Sequence, residues 1–317
     1  MISLINTNHL KASFGFYNSV ISDVKFRLDK NKIILNNYKV NSGGGLYDYL
    51  EKNLDDFLIN DLKTSFDKHN KELKYVFDTN FKDGNSPNKF TKVIKSIFFY
   101  DDSKKWEPYK ILKILQVNCC PYCNRTYITN LGNDKKKFYR ADFDHFLNKS
   151  KYPYFRFHFY NLIPSCIICN QRAKGNDDTD LDNFVYPYMN GFEEHAKFTY
   201  TPSSYDALKK GYGSIIRLKV KFPRSNFGKK IRNNIKLFRI NEQYKTNQRE
   251  LHFLLEKKDI NSEGYIKSIR DAFPHLFRND ADAYEFIFGK SFYEKDFIHQ
   301  PLAKFTKDIC EEIGLIK

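Results

Sequence analysis

At 317 residues, with 41% apolar and 17% aromatic side chains, the chain is too rich in core formers to be intrinsically disordered, and its length allows one large domain or two ordinary ones. No stretch approaches the roughly 18 uninterrupted apolar residues of a membrane span, and the opening MISLINTNHLKASFGF lacks the basic, apolar and small-residue segments of a signal peptide. The expectation is a cytoplasmic protein with no membrane partner, whose six cysteines stay reduced and whose net charge of +15 suits a polyanion.

In chain order, VKFRL (24–28) and KIILNNYKV (32–40) read as a short hairpin. SGGG at 42–45 reads as a flexible turn. Leu46, Leu50, Leu54, Phe57, Leu58 and Leu62 then recur at spacings of three and four, which predicts one amphipathic helix, and Ile111, Leu112 and Leu115 mark a second over 109–115. From 118 to 200 short aromatic runs and turn residues replace helical periodicity. Beyond 240 the helical pattern returns and ends in Leu302, Phe305, Ile309 and Ile313, between Pro301 and a capping Gly314. The fold class expected is α+β. A mainly helical scaffold (1–117 and 201–317) would enclose a small metal-rich module (118–200), with the two flanks packed together.

Half of the cysteines lie in CCPYC at 119–123. Cys120-x-x-Cys123 is matched by Cys166-x-x-Cys169 with 42 residues between, and two such pairs close a tetrahedral structural zinc site at about 2.3 Å per thiolate. A redox dithiol is the competing reading of each pair, but it needs a strand–helix setting that is absent from the pattern. Cys119 reads as a small buried hydrophobe beside the ligands, and Cys310 as core on the last helix. A closed tetrathiolate does no chemistry, so it must brace what lies between the pairs.

That stretch is RADFDHFLNKSKYPYFRFHFYNLIPSCIICNQRAKG (140–175): a strand pattern ending at Asp144-His145, a basic loop, a second aromatic strand-like run, Asn161, the second cysteine pair, and Asn170 opening a short helix. It resembles the ββα-metal finger of the HNH nucleases, in an H-N-N version. The resemblance implies that His145 is the general base, which needs a neutral imidazole within reach of the attacking water. It implies that Asp144 and Asn170 ligate a catalytic Mg²⁺ or Mn²⁺, that Asn161 fixes the loop aiming the imidazole, and that Lys149, Lys151 and Lys174 contact phosphates. The last motif position is often His in relatives and is Asn170 in this chain, which still offers an oxygen ligand. His158 reads as an ordinary strand histidine, and His195 falls outside the site.

Beyond the module, CPYCNRTYI, DHFLNKSKYPY, FYNLIPSC, CNQRAKG and PLAKFTKDICEEIGL resemble the standalone HNH proteins of bacterial anti-phage systems, the PtuB subunits of Septu systems and the HNH partners of some retrons among them. This implies a DNA-cutting effector working with an ABC-type ATPase partner. A restriction-type nuclease for modified DNA and a non-catalytic zinc-dependent nucleic-acid-binding protein are the alternatives. Between Asp206 and Glu242 there is no acidic residue and eleven basic ones, Arg217, Lys219, Lys221, Arg224, Lys229, Lys230 and Arg232 among them, a stripe suited to a nucleic-acid backbone or to an acidic partner.

Overall fold

Ala12, Phe16, Val20, Val24 and Leu28 recur every fourth residue and form the buried stripe of α1 (His9–Lys30). The hairpin expected over 24–40 is therefore incorrect. Val24 and Leu28 belong to the helical stripe, while Phe26 between them is 66% exposed, and KIIL forms α2 (Lys32–Leu35). The computed structural model describes residues 1–5, 7–82, 84, 86–102, 106–260, 263–277 and 279–316.

The single helix expected from Leu46 to Leu62 is broken into α3 (Leu46–Lys52), α4 (Leu54–Leu58) and the start of α5 (Leu62–Asn80). All six apolar positions are buried as the spacing requires. Continuity fails because short polar side chains take over backbone groups: Asn53 Nδ2 donates to the Tyr49 carbonyl at 2.8 Å, and Asp61 caps α5 by accepting the Thr64 N–H at 2.8 Å. Next come α6 (Lys89–Ile97) and α7 (Pro108–Leu115), the latter close to the predicted span. Both pack on α1.

The middle of the chain builds three two-stranded antiparallel sheets: β1 (Leu131–Gly132) with β2 (Lys137–Tyr139), β3 (Asp142–His145) with β4 (Leu162–Ser165), and β5 (Ala196–Thr201) with β6 (Ile215–Val220). The aromatic run before β4 is not a strand. Pro153–Phe155 and Phe159–Asn161 are 3₁₀ turns that bury Tyr154, Phe155, Phe157 and Phe159 together, where a two-faced strand would have exposed every second one. After β4 the chain enters a π-helix, Ile168–Lys174, with Asn170 as its third residue. Helices α8 (Tyr205–Lys210), α9 (Asn226–Leu237), α10 (Ile240–Tyr244), α11 (Gln248–Ile260), α12 (Glu263–Ala272), α13 (Asp280–Phe288) and α14 (Ala303–Glu312) complete the order. The last of these ends as expected: Gly314 adopts φ +77° and Leu315 N–H returns to the Cys310 carbonyl at 2.9 Å.

One continuous apolar core draws on all three stretches of the chain, from Leu4, Phe16 and Trp106 through Phe157 to Ile216 and Phe305. Phe16 meets Phe157 edge-on at 5.0 Å, which ties α1 to the back of the β3–β4 unit. No helix among the described residues is long and apolar enough to cross a membrane.

His158 sits inside this core, and burial pulls its pKa down to about 3. The unfolded chain takes up that proton below about pH 6.5, so the stability contributed by the neutral ring is complete above that pH and is lost as the pH falls toward 3. Between pH 6.5 and 5 the loss from this group is about 2 kcal/mol. Urea melts at both ends of that window should therefore show an acid slope that His158→Gln reduces by about that amount.

Candidate functional site

The two cysteine pairs meet as expected. Cys120, Cys123, Cys166 and Cys169 are buried, and their sulfurs all lie within 4.8 Å of one another. Ligation at about 2.3 Å places tetrahedral sulfurs about 3.8 Å apart, so the cluster can hold a metal such as zinc with no position left for substrate. Backbone N–H groups of Arg125 and Cys169 point at Cys123 and Cys166 sulfurs, each at 3.4 Å, and Gln243 Nε2 lies 3.6 Å from Cys169. Such donors stabilise thiolate charge. Cys119 and Cys310 stand apart, each fully buried, and burial pushes each thiol up to about 12.

The first pair is stitched into the scaffold. Tyr244 on α10 donates to the Cys123 carbonyl at 2.8 Å, and Asn124 Nδ2 donates to the Phe297 carbonyl at 2.6 Å. Between the two cysteines, Tyr122 stacks on Phe238 with centroids 4.1 Å apart and donates its hydroxyl to Asp144 Oδ2 at 2.6 Å. The cysteine cluster thus reaches the end of β3 through one buried phenol.

Strand β3 pairs with β4 in the register Asp144↔Ile163 and His145↔Leu162. Alternation puts Asp142 and Asp144 on one face. His145, 8% exposed, closes the strand and packs edge-on against Tyr100 at 4.4 Å. Its Nε2 lies 2.8 Å from the Arg156 carbonyl. A carbonyl only accepts, so Nε2 carries the proton and Nδ1 keeps its lone pair. Burial first, then the nearby Lys149, holds the imidazole well below its ordinary range, which keeps it neutral at neutral pH.

Asn161 is fully buried. Its Oδ1 accepts the Leu147 N–H at 2.6 Å, and its Nδ2 donates to the Leu147 and Phe155 carbonyls, each at 3.0 Å, closing the 146–155 loop against itself. Asn170 Nδ2 donates to Asp142 Oδ2 at 3.1 Å, leaving its carbonyl oxygen for another partner. Asp142, Asp144, His145 and Asn170 line one pocket of about 500 Å³, with Lys149 and Lys174.

The three loop lysines differ. Lys174 is 4% exposed, donating to Asp144 Oδ1 at 2.8 Å and to the His145 carbonyl at 2.7 Å, so it is the internal counter-ion of Asp144 and not a surface contact. Lys149 pairs with Asp101 at 3.2 Å, and Lys151 with Asp178 at 2.9 Å, both near the surface. In the basic stripe, Arg217 and Lys219 project from the exposed face of β6 and Lys221 and Arg224 follow in the exposed turn. On α9, Lys229 and Arg232 are exposed, whereas Lys230 donates to the Leu181 carbonyl at 2.8 Å. Arg232, Lys236 and Arg239 line a groove of about 1180 Å³ that Ala173 of the π-helix and the acidic Asp177, Asp178 and Glu242 also line. His195 packs on Phe227 at 4.9 Å and is absent from the pocket lining.

The chain is similar to Septu protein PtuB of Bacillus thuringiensis. The two are 28% identical over 196 residues, covering 58% of this chain and 68% of that protein. No protein-family model matches the chain, and no solved structure matches it.

Sequence reasoning missed Asp142, Tyr122, Tyr100 and the Arg156 carbonyl. Asp142 carried a signal, since Asp-x-Asp on a strand points both carboxylates one way. The carbonyl carried none, because any residue type supplies one. It is aimed by Arg156 itself, whose buried guanidinium pairs with Asp101.

Proposed function

We propose that the chain is a metal-dependent HNH endonuclease that hydrolyses DNA phosphodiester bonds, serving as the nuclease effector of a Septu-type anti-phage system with an ABC-type ATPase partner. The likeness to PtuB supports the defence role. The nuclease reading rests chiefly on one observation: a neutral imidazole at the end of β3 whose Nε2 is committed to a carbonyl and whose ring lines a pocket with Asp142, Asp144 and Asn170.

The oxygens of Asp142, Asp144 and Asn170 are hard donors of the kind Mg²⁺ or Mn²⁺ takes, and they would hold the catalytic cation. When bound, it supplies Lewis-acid stabilisation of the phosphate and of the leaving oxygen. In this reading His145 Nδ1 takes a proton from the attacking water. The Arg156 carbonyl steadies the imidazolium that forms, through the Nε2 hydrogen bond. Asn161 keeps the loop bearing that carbonyl in place, and Tyr122 with Lys174 fixes the Asp144 carboxylate. Lys149 and Arg140, which also line the pocket, would meet an incoming phosphate. The testing experiment is plasmid cleavage with Mg²⁺ or Mn²⁺ by zinc-loaded protein, with His145→Ala beside it.

In this reading Arg232, Lys236 and Arg239 hold the nucleic-acid backbone beyond the pocket. Reversing all three to Glu should weaken DNA binding for every sequence alike and flatten the plot of log affinity against log salt by about 2 to 3 units, read by fluorescence anisotropy over a salt series.

A further inference from the structure

Directly before β3 the chain makes the β1–β2 hairpin, whose exposed residues serve no core. Phe138 is 84% exposed, Leu131 52% and Tyr139 49%, and none belongs to an apolar cluster among the described residues. Lys135, Lys136 and Lys137 stand beside them, also exposed, and Arg140, the next basic residue, lines the catalytic pocket. The segment 135–140 thus carries four cations, two aromatics and no acid.

The hairpin is held in place. Gly132 adopts φ +104°, and a Cβ there would meet the Lys136 carbonyl at 2.3 Å, so the bulged turn needs glycine. Asn133 Oδ1 accepts the Lys135 and Lys136 N–H groups at 3.0 and 2.8 Å. Asp134 accepts the Tyr109 and Lys110 N–H groups at the start of α7, both at 3.1 Å, which pins the tip to the scaffold. At the other end Asn130 Oδ1 accepts the Ala141 N–H at 3.3 Å. Exposed rings on a braced ribbon lose little conformational freedom when they are covered.

We infer that the 131–140 hairpin is a nucleic-acid clamp: one unpaired base stacks on Phe138 and another on Tyr139, which strand alternation places on opposite faces of the ribbon, so that the strand wraps the ribbon's edge while Lys135, Lys136, Lys137 and Arg140 follow its backbone toward the pocket. The chemistry decides between occupants. An apolar protein partner does not need four cations without an acid, whereas a strand offers a phosphate for each cation and a base face for each ring. The inference relies on the nuclease reading for where the strand leads; the binding itself is read separately.

The test uses the full chain in the His145→Ala background, so that substrate survives, with fluorescent oligothymidine and a duplex of equal length as probes. Phe138→Ala with Tyr139→Ala should lower affinity for the single strand by about ten- to a hundredfold, while Phe138→Trp keeps it and Phe138→Leu does not. Melting temperature reports that the variants fold. Equal loss on duplex and single strand, or none on either, overturns the stacking clamp. Retained oligothymidine affinity together with lost co-purification of an ATPase partner overturns it in favour of a protein contact. Plasmid cleavage by the unsubstituted chain is scored in parallel: if it never cuts while the alanine pair loses the single strand, the clamp stands and the nuclease reading falls.

Discussion

His145→Ala is expected to lower metal-dependent DNA cleavage by about a hundredfold to ten-thousandfold, the contribution of a positioned general base, while the protein stays folded. The ring makes one hydrogen bond to the chain, to the Arg156 carbonyl, and it sits at the pocket edge with 8% of its surface exposed. Losing that bond leaves the Arg156 carbonyl short of a partner and costs about 1–3 kcal/mol, so the melting temperature should fall by several degrees while the protein stays folded. The pH profile gives an independent readout. A base must be unprotonated to act, and burial holds this imidazole well below the ordinary value of about 6.5. Single-turnover cleavage should therefore stay level through pH 6.5 and decline only in more acid solution, once the folded imidazole begins to take up a proton. Cleavage by His145→Ala at the rate of the unsubstituted chain would remove His145 as the base. An acid limb centred near pH 6.5 would point to an exposed histidine instead.

What was legible beforehand follows from how far each signal reaches along the chain. Two cysteines three apart must present their sulfurs together, and two such pairs have few other uses, so the cluster was visible without a structure. The burial of Leu46 through Leu62 was equally visible, because periodicity reports which face is covered. It does not report where a helix is interrupted, and Asn53 and Asp61 made that decision through bonds to neighbouring backbone. In the first helix, Val24, Phe26 and Leu28 imitate strand alternation over five residues; only the longer run from Ala12 reveals the fourfold spacing. The aromatic run before β4 misled for a similar reason, since a segment buried on every side has no periodicity to read. Lys174 stood at a position that suggested phosphate contact, yet its ammonium is inside, neutralising Asp144. Side-chain type fixes what a residue can bond, but burial decides whether solvent, substrate or a neighbour is the partner.

Breaking the cysteine cluster should do more damage than any change in the pocket. Cys166→Ser or Cys123→Ser is expected to abolish zinc binding and lower the melting temperature by more than about 10 °C, and chelator at elevated temperature should do the same to the unsubstituted chain. Structural zinc in small domains contributes roughly 10–16 kcal/mol at neutral pH, as much as the entire stability of a typical fold. In this chain the loss would spread along named contacts. The first cysteine pair holds Asn124, which ties Phe297 and the start of α14, and Tyr122, which positions Asp144. Cleavage should therefore disappear with the metal even under conditions where the helices persist, because Asp144 loses the phenol that orients it while keeping only Lys174. Cys119→Ser and Cys310→Ser are the controls. Both thiols are buried outside the cluster, so each variant should keep its zinc by elemental analysis and lose only the roughly 1–3 kcal/mol of a buried hydroxyl short of partners. A chain that purified without metal and melted at the same temperature after Cys166→Ser would leave the four sulfurs as core, and the bracing of Asp144 would then rest on Lys174 and on Tyr122 held by its stack on Phe238.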